Sequence, residues 1–405
     1  MGSPELTTAT ARQRMNRIPR VIVSVWGRFW AFELAHELQE RKALSRLITS
    51  YPRYAAERFG VNRANVVSCV LPEAAVRLAR RFKSPWLTGR ADMLARRWYE
   101  RAARRALRRE EGDIFVGWSG TSLSLIRDAR RRGMITVVER GSSHIVEQAT
   151  ILREEHARYG HDVEEIPRAV IDQELAEYAE ADYVAVPSRF VYESFLRQGF
   201  SPDRLLLNAF GANLAMFRPD RVPHEPFRII QVGGVSIRKG FPGVVEAFRK
   251  AAIPNSELWF VGSITPEAET YFANNPTANV HIKGPVPQSE LSRFYNQSDV
   301  VCLGSVEDGF GLVLLQAAAC GLPIVCTRNT GGPDIVGDNE CGIVVPIHSP
   351  DAMADAFRAM YEDRPRARAM GDAARRRAEE YFSWTAYGER AMEHYRRLCN
   401  ARGLT

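Results

Sequence analysis

The sequence contains no apolar run approaching the ~20 residues that a bilayer-spanning helix requires, so no part of its 405 residues is expected to cross a membrane as a helix. Its six cysteines include no C-x-x-C pair, and several sit in strand-like apolar runs where a small hydrophobe would serve. A disulfide scaffold and a redox pair are therefore not expected, and a reducing, cytoplasmic setting is. The eight histidines show no H-x-x-x-H or related ligand spacing, so a dedicated metal site is not expected; no cofactor is expected either. No zinc-finger, helix-turn-helix or RNA-recognition signature accompanies the basic residues, which argues against nucleic acid as a partner. The opening stretch MGSPELTTATARQRMNRIPR lacks an apolar centre between a basic start and a small-residue cleavage site, so residues 1–18 read as a loose, disordered tail rather than a secretory signal.

What is present is the composition of a soluble globular enzyme, 45% hydrophobic and 25% charged, in a chain long enough for two domains. Its net charge of +7 is unevenly spread: residues 76–109 hold twelve Lys and Arg against Asp92 and Glu100, a net +10 that leaves −3 for the rest. In helical register Arg97, Arg101, Arg104, Arg105 and Arg108 share one face, while Leu94, Trp98, Ala102 and Ala106 recur four apart on another. Such a segment is either a solvated face over an ordinary core stripe or a basic surface for anionic lipid headgroups or an acidic acceptor.

Short β-branched runs alternate with longer helical patterns, as in parallel sheets covered by helices on both faces. Strands are expected at 20–26, 44–50, 66–71, 113–118, 134–140 and 183–188, then at 227–233, 257–262, 279–284, 299–304, 323–327 and 342–346. These are two successive α/β sets, separated by the proline-bearing linker FGANLAMFRPDRVPHEPF at 210–227. The organisation expected is a doubly wound, Rossmann-like domain over 19–212, a second Rossmann-like domain over 213–380, and a C-terminal helix in 381–405 that packs back across the linker on the first domain. Two doubly wound sheets joined in this way set their ligand-binding edges opposite each other, so the active site is expected in the cleft between them.

Two stretches carry chemistry. In QVGGVSIRKGFPGVVEAF (231–248) a strand ends at Gly233 and Gly234, a loop delivers Arg238 and Lys239, and a helix follows. Glycines let backbone N–H groups approach an anion, and the helix end and the cations add positive potential, so this is a candidate diphosphate cradle or else an ordinary β-α turn with exposed basic residues. In SVEDGFGLVLLQAAACG (305–321) a Gly-rich turn bears Glu307 and Asp308, and Gln316 follows two helical turns on, so that acid and amide face one side while Leu312 and Leu315 pack inward. Backbone N–H groups from Gly309 to Leu312 would point at an anion or at sugar hydroxyls.

This second stretch resembles the nucleotide-sugar motif of the retaining GT-B glycosyltransferases, family 4, also called glycosyl transferases group 1. That family usually reads E-G-F-G with a second Glu eight residues after the first. VGGVSIRKGF is similar to its phosphate loop, NTGGPDIV (329–336) to its Gly-Gly turn, and FSWTAYGERAMEHY (382–395) to its crossover tail. The resemblance covers 180–398 and is weak upstream. It implies a donor nucleotide-diphospho-sugar, UDP- or GDP-linked, as substrate, with Gly233, Gly234, Arg238, Lys239, Gly311 and Leu312 at its phosphates, Glu307, Asp308, Gly309 and Phe310 at its sugar, and Gln316 at its ribose. Three positions depart from the pattern: Asp308 and Gln316 stand where glutamates are expected, and Gly234 where a phosphate-binding arginine often sits. Glu307 thus competes with Asp308 for the sugar, Arg238 is the expected substitute cation, and Lys239 is expected to be essential. The base is expected near main-chain groups of 281–287.

The resemblance further implies retention by front-side attack without metal, the leaving phosphate oxygen taking the acceptor's proton. The family places a histidine after the strand that here ends near Arg140; in VERGSSHI (138–145) His144 is the candidate catalytic residue beside Lys239 and Asp308, with helix capping as its alternative role. Trp26, Gly27, Arg28, Trp118 and Arg140, at strand-end turns of the first half, are candidates for the acceptor, a glycan or glycolipid of the cell envelope, since aromatic faces stack on sugar rings; plain packing is the other reading of the tryptophans. A cytoplasmic chain peripheral to the inner face of the cell membrane is the expectation on the second reading of residues 76–109, the basic surface for anionic headgroups. A catalytically silent sugar-nucleotide-binding protein is the alternative of a different class.

Overall fold

The computed structural model describes residues 17–71, 85–161 and 166–404. All but the last two residues of the expected tail, and residues 76–84 of the basic segment, lie outside them. Thirteen strands are described: β1 Val21–Val25, β2 Leu44–Thr49, β3 Val66–Ser68, β4 Ile114–Trp118, β5 Ile135–Glu139, β6 Tyr183–Val186, β7 Leu205–Leu207, β8 Phe227–Val232, β9 Ser256–Val261, β10 Val280–Gly284, β11 Val300–Leu303, β12 Ile324–Thr327 and β13 Gly342–Val345. They form a seven-stranded sheet in the order β3-β2-β1-β4-β5-β6-β7 and a six-stranded sheet in the order β10-β9-β8-β11-β12-β13. Strands such as VIVSV in β1 are buried along their whole length, as expected of parallel strands covered on both faces. Twelve of the thirteen fall in the expected segments. The sequence pattern does not announce β7, because three leucines are too short a run to show a period.

Both sheets reverse strand order beside their first strand, β1 next to β4 and β8 next to β11. Ligands of doubly wound folds bind in the crevice at such a reversal. Pairing of β8 with β11 sets the turns that follow them side by side: a Cβ built on Gly240 would lie 1.9 Å from the carbonyl oxygen of Gly304. The lysine turn and the acidic turn, 69 residues apart in sequence, are thereby made neighbours.

The last helix, Trp384–Ala401, returns to the first lobe. Ala212 N donates to Phe382 O at 2.8 Å, and Gly211 runs so close that a Cβ there would meet Trp384 N at 2.4 Å. Gly388 lies against Glu37 of the helix Ala31–Glu40 with equally little room, and Arg402 reaches Asp182 at 2.9 Å. Val116, Leu206, Leu303, Leu315 and Tyr387 belong to one contiguous apolar core that runs through both lobes and this helix.

The helix Pro85–Leu107 corrects the expected register of its apolar face. Ala95, Tyr99, Ala103 and Leu107 are buried, whereas Leu94 and Trp98 are exposed at 63% and 49%. Adjacent wheel positions, Trp98 and Tyr99, offer similar apolar area; Tyr99 wins because its hydroxyl meets Ser24 Oγ at 3.0 Å beneath the helix.

Candidate active site

A cleft of about 1100 Å³ opens between the lobes, lined on one side by Asp308, Phe310, Gly311, Leu312 and Gln316 and on the other by residues from Arg28 to Glu37 and from Arg58 to Gly60. The second-lobe side is built from the turn after β11. Gly311, at φ 74°, takes the left-handed conformation that lets the chain enter the helix Leu312–Ala319. Asp308 Oδ1 accepts from the N–H of Phe310 at 3.2 Å and of Gly311 at 3.0 Å, and Oδ2 pairs with Lys239 Nζ. Burial raises the Asp308 carboxyl, but Lys239 and Arg238 outweigh it and hold its pKa below the usual value, so Lys239 and Asp308 form a charged pair at the cleft edge. Gln316, 5% exposed, accepts from Tyr295 Oη at 3.3 Å and lies one turn into the helix Leu312–Ala319, on the same wall as Asp308. Beside Gly233 and Gly234 there is open space: an added Cβ would meet nothing within 4 Å at the first and only Ser263 at 3.8 Å at the second.

Lys239, Asp308, Gly311, Leu312 and Gln316 are thus brought together. Glu307 is not part of the cleft, which corrects its expected place at the donor sugar. It is fully buried, accepting from Ser143 N and Ser143 Oγ, both at 2.9 Å, and from Gln148 Nε2 at 3.1 Å, all in the first lobe, and from Arg238 Nε at 2.9 Å in the second. A carboxylate surrounded by four donors is a clasp between lobes, not a free sugar ligand. Arg238 is corrected with it, since its guanidinium is spent on Glu307 rather than offered to a diphosphate. Gly309 closes the same seam, its missing side chain allowing Gly141 O within 1.8 Å of where a Cβ would stand. Phe310 packs edge-on against Phe210 at 5.2 Å.

Four first-lobe expectations are also corrected. His144 is 2% exposed and caps the helix Ile145–Arg158, its Nδ1 accepting from Val146 N at 3.4 Å, with its ring between Tyr178 and Phe195. Burial first, and the nearby Arg140 second, lower its pKa to about 4, so the ring is neutral and suited to accept that N–H. Arg140 is buried and tied to Glu174 at 2.7 Å and Gln148 at 2.7 Å. Trp118 is 3% exposed and packs on Trp30. Trp26 stands edge-on to Tyr99 and is not among the cleft-lining residues. Of the acceptor candidates, Arg28 lines the cleft, presented by a turn that Gly27 anchors through Ser50 Oγ at 3.0 Å. Sequence reasoning missed Phe29, Trp30, Glu33, His36, Arg58 and Phe59 on this wall. Trp30 stood in the same aromatic stretch as Arg28; the segment 58–60 carries no motif, and only the fold reveals it.

Two doubly wound lobes with a polar cleft at facing strand reversals define a GT-B architecture. In sequence, residues 215–377 match the family model of glycosyl transferases group 1. The match spans most of the second lobe and less than half of the chain. It is 26% identical over 275 residues to a D-inositol 3-phosphate glycosyltransferase of Corynebacterium diphtheriae, covering 62% of this chain and 64% of that protein. It is 28% identical to an MMP alpha-(1->4)-mannosyltransferase of Mycolicibacterium hassiacum over 48% of this chain and 49% of that one. Both matches span less than two thirds of the relative's length. Among solved structures, sucrose-phosphate synthase from Thermosynechococcus elongatus superposes with a TM-score of 0.71 at 20% identity, covering 94% of this chain and 100% of that one. WaaG, a glycosyltransferase involved in lipopolysaccharide biosynthesis, does so with a TM-score of 0.61 at 17% identity, covering 92% and 98%. At these identities the structures speak for the fold.

Proposed function

We propose that the chain is a retaining hexosyltransferase that moves a sugar from a nucleotide-diphospho-sugar, UDP- or GDP-linked, to a hydroxyl of a cell-envelope polysaccharide, lipopolysaccharide or glycolipid, by front-side attack without metal. The observation that carries this reading is the convergence of the Lys239–Asp308 pair, the head of the helix Leu312–Ala319 and Gln316 on one interlobe cleft. In this reading Lys239 and the N–H groups at the helix head stabilise charge on the departing diphosphate, and Gln316 holds the ribose, its amide supplying both donor and acceptor. The departing oxygen takes the acceptor's proton, so no side-chain base is needed. The sugar-transferring names of the relatives support the reaction class, and a structural neighbour, HepE, is described in complex with UDP and glucose.

The test is a melting screen against UDP, GDP, ADP and their sugars, followed by anomeric NMR of any product. One nucleoside diphosphate that stabilises the protein, and a product with the donor's anomeric configuration, are expected; an inverted product removes the front-side mechanism, and no binding at all removes the reading. The replacement of two expected glutamates by Asp308 and Gln316 favours a second reading, a silent sugar-nucleotide binder, which binding without turnover over a panel of acceptors would support.

Association with an anionic membrane surface belongs to the same proposal. On the helix Pro85–Leu107, exposed Leu94 and Trp98 lie among exposed Arg97, Arg101 and Arg105, an apolar wedge ringed by cations. No helix among the described residues is long and apolar enough to cross a membrane. Binding to vesicles should require anionic lipid and weaken at raised salt; co-sedimentation indifferent to both discards the idea.

A further inference from the structure

The donor reading leaves a charge unaccounted for. A diphosphate brings at least two negative charges, and the second lobe has little left to meet them. Lys239 is paired with Asp308, Arg238 is held by the buried carboxylate of Glu307, and Gly234 offers no guanidinium where the family pattern often has one. The arginines that line the cleft, Arg28 and Arg58, both come from the first lobe.

We infer that Arg28 supplies the second cation to the donor diphosphate, reaching it across the cleft in place of the guanidinium absent at Gly234; the inference rests on the donor reading above. Position supports it first. Arg28 follows β1 at the strand reversal of the first sheet. Its turn touches the acidic turn of the second lobe through a short chain of contacts: Trp30 lies against Gly141, where a Cβ would come within 2.5 Å of the indole, and Gly141 O lies against Gly309. Arg58 follows the short helix Arg53–Glu57, between β2 and the edge strand β3, further from that reversal.

Preorganisation supports it next. Gly27 at φ 93° and Phe29 at φ 44° flank Arg28 with left-handed backbone, which is unfavourable for phenylalanine and persists where the surroundings fix it. They do so here: Ser50 Oγ accepts from Gly27 N, Thr49 Oγ1 donates to Gly27 O at 2.8 Å, and Ala31 N donates to Arg28 O at 3.0 Å. The guanidinium itself is loosely committed. It sits 4.6 Å over the Phe59 ring, and its one carboxylate neighbour among the described residues, Glu33, stands off at 3.8 Å. Burial keeps the Glu33 pKa raised despite Arg28, which weakens that neutralisation, and Glu33 Oε2 has no hydrogen-bond partner among the described residues.

A guanidinium there acts on leaving-group charge. As the bond from the anomeric carbon to the diphosphate oxygen breaks and the acceptor oxygen bonds to that carbon, the electron pair passes to the diphosphate, which takes up the acceptor's proton. Arginine's planar fork matches the phosphate oxygens, and its charge persists at any working pH.

The test is titration of wild type, Arg28→Gln, Arg28→Lys and Arg58→Gln with UDP, GDP and ADP and with the corresponding monophosphates. For the base that binds wild type, Arg28→Gln should weaken the diphosphate ~10- to 100-fold, the range expected for a hydrogen bond between charged groups. The monophosphate should weaken far less, Arg28→Lys should recover part of the loss, and Arg58→Gln should lose less than Arg28→Gln. Unchanged diphosphate affinity in Arg28→Gln overturns the inference. So does an equal loss of both nucleotides, because that signals a disturbed fold or base site. Failure of every nucleotide to bind wild type instead removes the donor reading itself.

Discussion

The two lobes face one cleft and build it in opposite ways. In the second, the polar groups come from two turns made adjacent by a single strand pairing, and they satisfy one another: Lys239 with Asp308, Asp308 with the N–H groups of its own turn. In the first, the wall is assembled from the turn after β1, one face of the helix Ala31–Glu40 and the segment 58–60, and it keeps groups unspent, among them Glu33 Oε2 and an Arg58 with no carboxylate within 4 Å among the described residues. A self-neutralised wall suits a ligand of fixed chemistry that displaces one partner for another. A wall with open groups suits a ligand that brings its own complement.

The largest effect that would sharpen this contrast is expected at Lys239. Lys239→Ala removes a preorganised cation from the leaving group, so kcat/KM for sugar transfer should fall at least ~100-fold. It also strands the Asp308 carboxylate, at a cost of up to about 3 kcal/mol in stability. Adding Asp308→Asn should restore the urea midpoint without restoring turnover. If the double variant recovers activity, the second lobe's pair is structural and the comparison breaks.

Glu307 probes the seam between the lobes. Glu307→Ala leaves Arg238 without its carboxylate and three first-lobe donors without an acceptor, a loss of about 3–5 kcal/mol by analogy with other broken buried pairs. Chemical denaturation should show it, and Glu307→Gln should fall in between. An unchanged midpoint with collapsed donor affinity would return Glu307 to the sugar.

That residue also marks where sequence stopped being legible. Hydrophobic runs disclosed twelve strands because parallel strands buried on both faces are continuous in apolar character, and short Gly turns disclosed where the chain would be free to bind anions. The motif 305–321 told that an acid faced the cleft, but Glu307 and Asp308 are adjacent, and side chains one apart diverge; only the partner lobe decides which turns inward. Ser143 and Gln148, lying 164 and 159 residues away, make that decision. The first-lobe wall was illegible for a similar reason: Arg58 and Phe59 acquire meaning through the neighbours the fold gives them, and one arginine in a chain with 55 Lys and Arg carries no signal by itself. Trp98 and Tyr99 show the same ambiguity on a helix, resolved by a hydroxyl partner beneath.

Beneath the first-lobe wall lies Glu139, which accepts from Trp30 Nε1 at 3.1 Å. Burial raises its pKa from the usual 4.5 to about 7, the indole N–H only partly opposing it. The folded protein therefore holds this proton where the unfolded chain has released it. Stability from this group is complete below about pH 4.5 and is lost as pH rises through 7. Relative to Glu139→Gln, wild type should lose up to about 3 kcal/mol between pH 5 and 8, the size of such a shift, measured by melting at constant ionic strength. Parallel curves would mean an ionised carboxylate and a wetter first-lobe wall than the structure shows.

The smallest effect separates the histidine of this chain from the role that the sequence resemblance suggests. His144 faces Tyr178 and Phe195, not the cleft, and its work is to accept the Val146 N–H at the head of the helix Ile145–Arg158. With its pKa lowered to about 4, it stays neutral across the working range and adds no titration near pH 6 or 7 to a rate profile. His144→Asn keeps an acceptor at the cap and should cost little. His144→Ala should cost about 1 kcal/mol for the cap, more where the ring's packing is lost. Transfer rates of both variants should stay within about fivefold of wild type, under about 1 kcal/mol in barrier height, because neither atom set touches the reacting groups. A general acid or base would instead show a loss of ~100-fold or more. If His144→Asn shows that loss with an unchanged melting point, the first lobe contributes a reacting group from beneath its surface, and the division between a self-neutralised wall and an open one no longer describes this cleft.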